Sequence, residues 1–419
     1  MQSFKINDNI TLTYIPMDKL KTTSVEFYIH RPLVKEDASK NALLPHILKR
    51  ECSLCCDAKE VAKYLENLYG AKFSAGIGKR GDDHLISFDF ETISDRFAPF
   101  GEKLIDGVVS LALSMLFGKR SGFSQKVFEQ ERKNSITKIE NIINDKRVYA
   151  LYRCQEELAK GERFSIPRLG YVSDMKAMTK DELFDYYKKI IVSSPIDIYI
   201  CGEADPEAVC ERVRESIKGI EFVKAQMPVS KILEKNAPIN FVTDHLDVTQ
   251  GKLAMGFLTD TKPTDDDYTA LAVANAIFGG GAQSKLFNNV REKLSLAYYA
   301  GSMLDKSKGI LLVNAGIEFE NKDKAYDEIL VQLEEMKKGN ISDLEIESSK
   351  GFMINSLVAC YDDQHGMITY QLGEKMGQTF TSIEEKIEKI NKVTKEDAAR
   401  AMQKVRLDTV YFLAGGEEV

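Results

Sequence analysis

FGGGAQSKLFNNVREKLSLAYY, residues 278–299, packs three unusual features into one turn and one helix. The run Gly279, Gly280 and Gly281 ends a helical stretch, and glycine permits positive φ or the close approach of one backbone to another. Ser284 stands where an N-cap would, with Leu286, Phe287, Val290 and Leu294 at helical spacing behind it. A helix therefore restarts after the glycines. Leu296 to Tyr299 continue as a strand-like run, which places Arg291 and Tyr298 on adjoining elements at one edge. A guanidinium and a phenol set together can hold a peptide carbonyl or carboxylate through charge-assisted hydrogen bonds. The same two residues also suit a solvated helix face and a core, and composition does not choose between the readings.

Outward from this stretch the chain repeats itself. MTKDEL at 178–183 returns as VTKEDA at 393–398, about 215 positions on. Around it the predicted elements recur in order. A helix over 129–143 has a counterpart over 345–357, and Asp145-Lys146 has one in Asp362-Asp363. A second helix over 148–158 answers 367–375. A helix capped by Thr179 or Thr394 then leads into a strand over 196–201 or 409–413. A period this long means duplicated domains rather than a solenoid. Each half opens with strands: 9–15 and 24–29 read as a hairpin in the first half, and 252–258 opens the second, with 84–90 and 309–316 in matching later places. Strands mixed with long helices, without regular βαβ alternation, predict an α+β fold. It consists of two duplicated domains, each a largely antiparallel sheet with helices packed on one face. The domains are predicted over 1–217 and 239–419. An extended linker over 218–238, where Pro228 and Pro238 interrupt any periodicity, joins them.

At 419 residues the chain exceeds one ordinary core, in keeping with two domains of roughly 150 residues or more. The formal net charge of -7, with no basic block, argues against a nucleic-acid partner. No stretch nears the roughly 18 apolar residues of a membrane span, and the N-terminus has no charged-then-apolar signal pattern. Seven cysteines without periodic spacing fit reduced thiols and a cytoplasmic location.

The segment ALLPHILKRECSL, 42–54, puts Leu43, Leu44, Ile47, Leu48 and Leu54 on one helical face, and His46, Lys49 and Arg50 on another. Two histidines at that i, i+4 spacing with a carboxylate beside the second would make half a zinc site and its general base. Only the first is a histidine here. A lone histidine on a polar helix face is usually a surface residue. Cys52, Cys55 and Cys56 do not repair the site, because Cys55 and Cys56 diverge on a helix and no second C-x-x-C completes a thiolate set. Asp265 to Asp267 read as a helix N-terminus.

Taken together, the duplicated halves, GGGAQSKLFNNVREKLSLAYY and the position of PHILKRE resemble the pitrilysin or insulinase family of zinc peptidases (M16), which includes the mitochondrial processing peptidase subunits. The resemblance spans essentially the whole chain. It implies a duplicated α+β fold in which two such chains, or one fused chain, close as a clamshell around an unfolded peptide. The family's catalytic half carries His-x-x-Glu-His, whose histidines hold zinc and whose glutamate activates water, with a further glutamate ligand on a downstream helix. Matched to this chain, the first histidine is His46, the glutamate falls on Lys49 and the second histidine on Arg50. Matching Glu131-Arg132 to the family's Glu-Arg places the third ligand at Lys138, with Glu140 two residues further as the alternative. Protonated lysine and arginine offer zinc no lone pair. At roughly 5 Å and an effective dielectric of about 20, each would repel a divalent ion by about 7 kcal/mol. The expectation is no metal and no catalytic residue, with Lys49, Arg50 and Lys138 turned to carboxylates, Glu51, Glu131 and Glu140 being nearest in sequence.

In the family the Arg-Tyr pair helps bind the substrate backbone, so the resemblance implies substrate binding by Arg291 and Tyr298. The segment Gly279 to Gly281 precedes them as turn or direct contact. It implies a catalytically inactive subunit working with a related chain that keeps His-x-x-Glu-His and holds the zinc. In isolation the chain would be free to form a homodimer. Similar silent chains in Gram-positive bacteria accompany an active paralogue and are linked to maturation of translation elongation factor P. Two alternatives stand beside this: a peptide-binding or assembly protein with no peptidase partner, and a metallopeptidase using His46 with Glu131 or Glu140.

Overall fold

Along SVEFYIH, residues 24–30, Val25, Phe27 and Ile29 alternate with Ser24, Glu26, Tyr28 and His30, so a strand sends every apolar side chain to one face. In a computed structural model, which describes residues 1–224, 226–235 and 238–416, that face is the core of the first unit. Val25, Phe27 and Ile29 are fully buried there with Ile86, Phe88, Ile198 and Ile200. The first unit's strands are β1 (Gln2–Lys5), β2 (Ile10–Pro16), β3 (Thr22–Pro32), β4 (Lys72–Arg80), β5 (Asp83–Ile93) and β6 (Ile196–Gly202). They lie in the order β1-β2-β6-β3-β5-β4. The second unit has β7 (Asn240–Leu246), β8 (Gly251–Leu258), β9 (Ala297–Asp305), β10 (Ile310–Ile317) and β11 (Arg406–Gly415), in the order β7-β11-β8-β10-β9.

Strand for strand the two orders coincide, β1 being extra. The parallel pairs β2–β6 and β7–β11 occupy the same place in otherwise antiparallel sheets. The capping boxes coincide too: Thr179 with Glu182 starts the helix Lys180–Ser193, and Thr394 with Asp397 starts Lys395–Gln403. The duplication legible in the sequence is therefore a duplication of topology.

Two expectations need correction. Residues 9–15 and 24–29 are strands but not a hairpin, because β6 lies between β2 and β3, parallel to one and antiparallel to the other. Every residue of β6, IDIYICG, is buried, and such a strand needs neighbours on both sides. Helices pack on the core face of each sheet, as expected, and a further helical segment lies on the other face. By contact the chain divides into one unit of 1–140, 166–229 and 360–370 and another of 141–165, 230–359 and 371–419, rather than into 1–217 and 239–419. In the second unit the helix Lys146–Leu158 lays Ala150, Cys154 and Leu158 on the sheet face formed by Ala254, Leu258, Leu312, Tyr411 and Leu413. In the first, residues 360–370 cover the polar face of β3. Gln364 donates to the Thr22 carbonyl at 2.6 Å and accepts from Ser24 Oγ at 3.0 Å, while His365 Nδ1 meets Glu26 Oε1 at 2.9 Å.

The described part of 218–238 has no helix or strand past Ser216, as expected of a linker, yet it is anchored. Asn9 Nδ2 donates to the Val223 carbonyl at 2.8 Å, and the Leu233 amide donates to the Lys308 carbonyl at 2.8 Å. Residues 225, 236 and 237 of that linker, and 417–419 of the second domain, lie outside the described residues. Among the described residues no helix is long and apolar enough to cross a membrane.

Candidate functional site

In the first unit the helix Lys35–Leu48 buries Leu43, Leu44, Ile47 and Leu48, which leaves His46 half-buried at its end and Lys49 and Arg50 just beyond. The helix Gln125–Glu140 packs against it and brings Glu131 and Lys138, seven residues apart and so on one face, to the same place. Arg50 donates through Nε at 2.9 Å and Nη2 at 2.7 Å to Glu131 Oε1, a carboxylate with only 8% of its side chain exposed. Asn134 Nδ2 takes the other Glu131 oxygen at 3.4 Å. Burial lowers the basicity of His46, and the charge of Lys138, then of Lys49 and Arg50, lowers it further against the opposing pull of Glu131. The sequence-matched positions do converge.

The expected carboxylate partners are only partly found. Arg50 takes Glu131, but Glu51 is used elsewhere, accepting from the Ser124 amide at 2.8 Å. Lys49 instead sets its ammonium over the Phe73 ring, 5.6 Å from the centroid. Among the described residues neither Lys49 nor Lys138 is in an ion pair, and Lys138 is exposed. This donor set does not fit zinc, which takes several deprotonated ligands at once. One imidazole is present, and the nearby carboxylate is already held by a guanidinium. Among the described residues no group of three or more histidine, cysteine, aspartate or glutamate side chains is arranged to hold a metal.

In the second unit the helix Tyr268–Gly279 occupies the corresponding position, between β8 and β9, and ends on the glycines. Positive φ is not their reason, since none of Gly279, Gly280 and Gly281 adopts it. Close approach is. A Cβ on Gly279 would lie 2.6 Å from the Ser302 amide nitrogen in β9, and one on Gly280 would lie 2.7 Å from Ala276 Cα, whereas Gly281 would meet only Gln283 at 3.4 Å. The restarted helix Leu286–Lys293 is a π-helix, with the Leu294 amide donating to the Asn289 carbonyl at 3.1 Å. Ser284 does serve its start, accepting from the Phe287 amide at 3.3 Å. Ser295 turns the chain at φ 50, and β9 follows.

β9 is an edge strand, and its register with β10 slips between Gly316 and Ile317, leaving Tyr298 as the bulged residue. A bulge re-aims a side chain, and Tyr298 is 56% exposed with its hydroxyl donating to the Glu318 carboxylate. Arg291 stacks over Phe287 at 4.6 Å and has Glu292 Oε1 3.4 Å from Nε. Both polar heads face solvent on adjoining elements, each engaged by a carboxylate of its own chain. Among the described residues no hydrogen bond joins them.

Sequence reasoning missed the polar face of the first sheet. Buried His30 lies between Asp83 Oδ2 at 3.1 Å and Asp197 Oδ2 at 3.2 Å. Burial disfavours its charge, yet the hydrogen bonds to the two aspartates and their negative charges together outweigh that and raise its pKa to about 9. Tyr28 donates to Glu26 at 2.5 Å, and Asp89, paired with Glu26 across the strands, is pushed up to about 6 by burial and then by the Glu26 charge. Polar residues at every second position of 24–30 were the available signal.

Across residues 177–351 the chain matches the family model described as Peptidase M16 inactive domain. It is 33% identical over 411 residues, 97% of this chain and 96% of the other, to the probable inactive metalloprotease YmfF of Bacillus subtilis (strain 168). A solved structure of a conserved protein from Enterococcus faecalis V583 superposes with a TM-score of 0.92 at 27% identity, covering 100% of this chain and 99% of that one. The structure of a peptidase M16 inactive domain from Pseudomonas fluorescens gives 0.80 at 18% identity, covering 100% and 98%. At that identity it speaks for the fold alone.

Proposed function

The chain belongs to the M16 peptidase family as an inactive homologue, and from that premise we propose that it is a non-catalytic subunit. It binds peptide through Arg291 and Tyr298 and completes a proteolytic chamber with a related chain that carries His-x-x-Glu-His and the zinc. The observation that carries this reading is the Arg50–Glu131 ion pair, which stands where the family assembles metal and base. A site already closed by a guanidinium and a carboxylate neither recruits a cation nor frees a carboxylate to activate water. This subunit uses no cofactor of its own. The free cysteines support work in the reducing cytoplasm.

Co-expression with an intact-motif homologue tests the proposal. The two chains are expected to co-purify, with zinc in one equivalent per pair by elemental analysis. Peptide cleavage should be absent from this chain alone and fall about tenfold in the pair when Arg291→Ala is introduced. One tightly bound zinc in the isolated chain, or cleavage by it, sinks the reading. Unchanged cleavage by the partner whether or not this chain is added would favour a binding protein without a peptidase partner.

A further inference from the structure

The degenerate motif leaves more positive charge than it neutralises. Of the cations gathered at the end of the helix Lys35–Leu48, Arg50 is satisfied by Glu131, but Lys49 and Lys138 have no ion pair among the described residues. Lys49 is held only through the Phe73 ring, and an ammonium above a ring keeps donors for a second partner. Lys138 is exposed and lies on the helix Gln125–Glu140, which packs against Lys35–Leu48. Glu51, the carboxylate that could have quenched them, is fixed on the Ser124 amide. Phe73 belongs to β4, which among the described residues is an edge strand paired with β5, so this charge borders a strand edge.

We infer that the remnant of the metal motif is a carboxylate-binding site, in which Lys49 and Lys138 receive the carboxylate of a bound peptide while Arg50 and Glu131 hold the floor. The field keeps the sign a divalent ion would give, but lysines supply hydrogen-bond donors where a metal would supply open coordination. The ligand is therefore an anion bearing acceptors, and for a peptide this is a C-terminal carboxylate or an acidic side chain. Peptide hydrolysis creates a new C-terminal carboxylate, so the ligand class includes a cleavage product. This rests on the peptide-binding reading above.

Fluorescence anisotropy on the full chain at low ionic strength separates the two. The probe is a labelled, unstructured twelve-residue peptide in three forms: free acid, C-terminal amide, and amide with glutamate at the last position. The free acid is expected to bind about tenfold more tightly than the amide. Lys49→Gln and Lys138→Gln should each shrink that ratio several-fold and Lys138→Arg should keep it, with unchanged melting temperatures showing that the variants fold. If the glutamate form matches the free acid, the site reads any carboxylate; if it matches the amide, the site reads the chain terminus, and either result upholds the inference. Equal affinity for acid and amide, or a ratio untouched by both glutamine variants, overturns it alone. No binding of any form overturns it together with the peptide-binding reading.

Discussion

The two units share one strand order, yet they use the same places differently. At the end of the helix that follows β3 or β8, the first unit carries His46, Lys49 and Arg50, whereas the second carries three glycines. On the second face of the sheet, the first unit has Ser24, Glu26, Tyr28 and His30, whereas the second has Ala254, Leu258, Tyr411 and Leu413 under the apolar face of the helix Lys146–Leu158. A duplicated topology thus constrains which faces must be covered, not the chemistry of the cover. The first unit was free to concentrate charge and the second to bring backbone close to backbone.

The sharpest way to break this comparison is to attack the two covers. Leu158 is fully buried in the second unit, over Gly256. Leu158→Ala should cost about 3 kcal/mol in urea denaturation, and Gln364→Ala, which removes hydrogen bonds from the first unit's cover, about 1 kcal/mol. Equal costs would mean that the two covers do not differ in kind.

At the helix ends, Gly279→Ala drives a Cβ into the backbone of Ser302 and should cost about 2 kcal/mol, while Gly281→Ala, with room to spare, should change stability by less than about 0.5 kcal/mol. A similar loss at both positions would mean that the approach to Ser302 does not set the requirement for glycine.

Dependence on pH should belong to the first unit's polar face. The folded pKa of His30, about 9, lies above its ordinary 6.5. Its contribution is therefore fully present below pH 6.5 and is lost as pH rises through 9. The urea midpoint should fall between those values, and His30→Gln should flatten the fall. A slope unchanged in that variant would place the titration elsewhere. A matched pair of variants tests what the units share: Thr179→Ala and Thr394→Ala each remove one capping box and should each cost about 1 kcal/mol, by the same assay.

Much of this was legible in the residues. The repeat around Thr179 and Thr394, the strands of 84–90 and 309–316, and the helices of 129–143 and 345–357 all rest on short-range periodicity and capping, which local sequence encodes directly. The convergence of Lys138 on His46 followed from matching two helices to a family pattern, and the structure brings them together. What escaped were pairings between distant segments. The strand β6 enters between β2 and β3, and residues 141–165 and 360–370 join the unit that the other half of the sequence builds. Alternation along a strand says that a face will be buried, not by what.

The sequence by itself determined that the chain is duplicated, that its halves are α+β, and that cations stand where the family's metal and base belong, because each depends on residue identity and local spacing. Only the tertiary structure decided that Arg50 is answered by Glu131 while, among the described residues, Lys49 and Lys138 have no ion pair, and that Gly279 serves proximity to Ser302 rather than an unusual φ. Those outcomes depend on distances between segments far apart in the chain, and packing sets such distances.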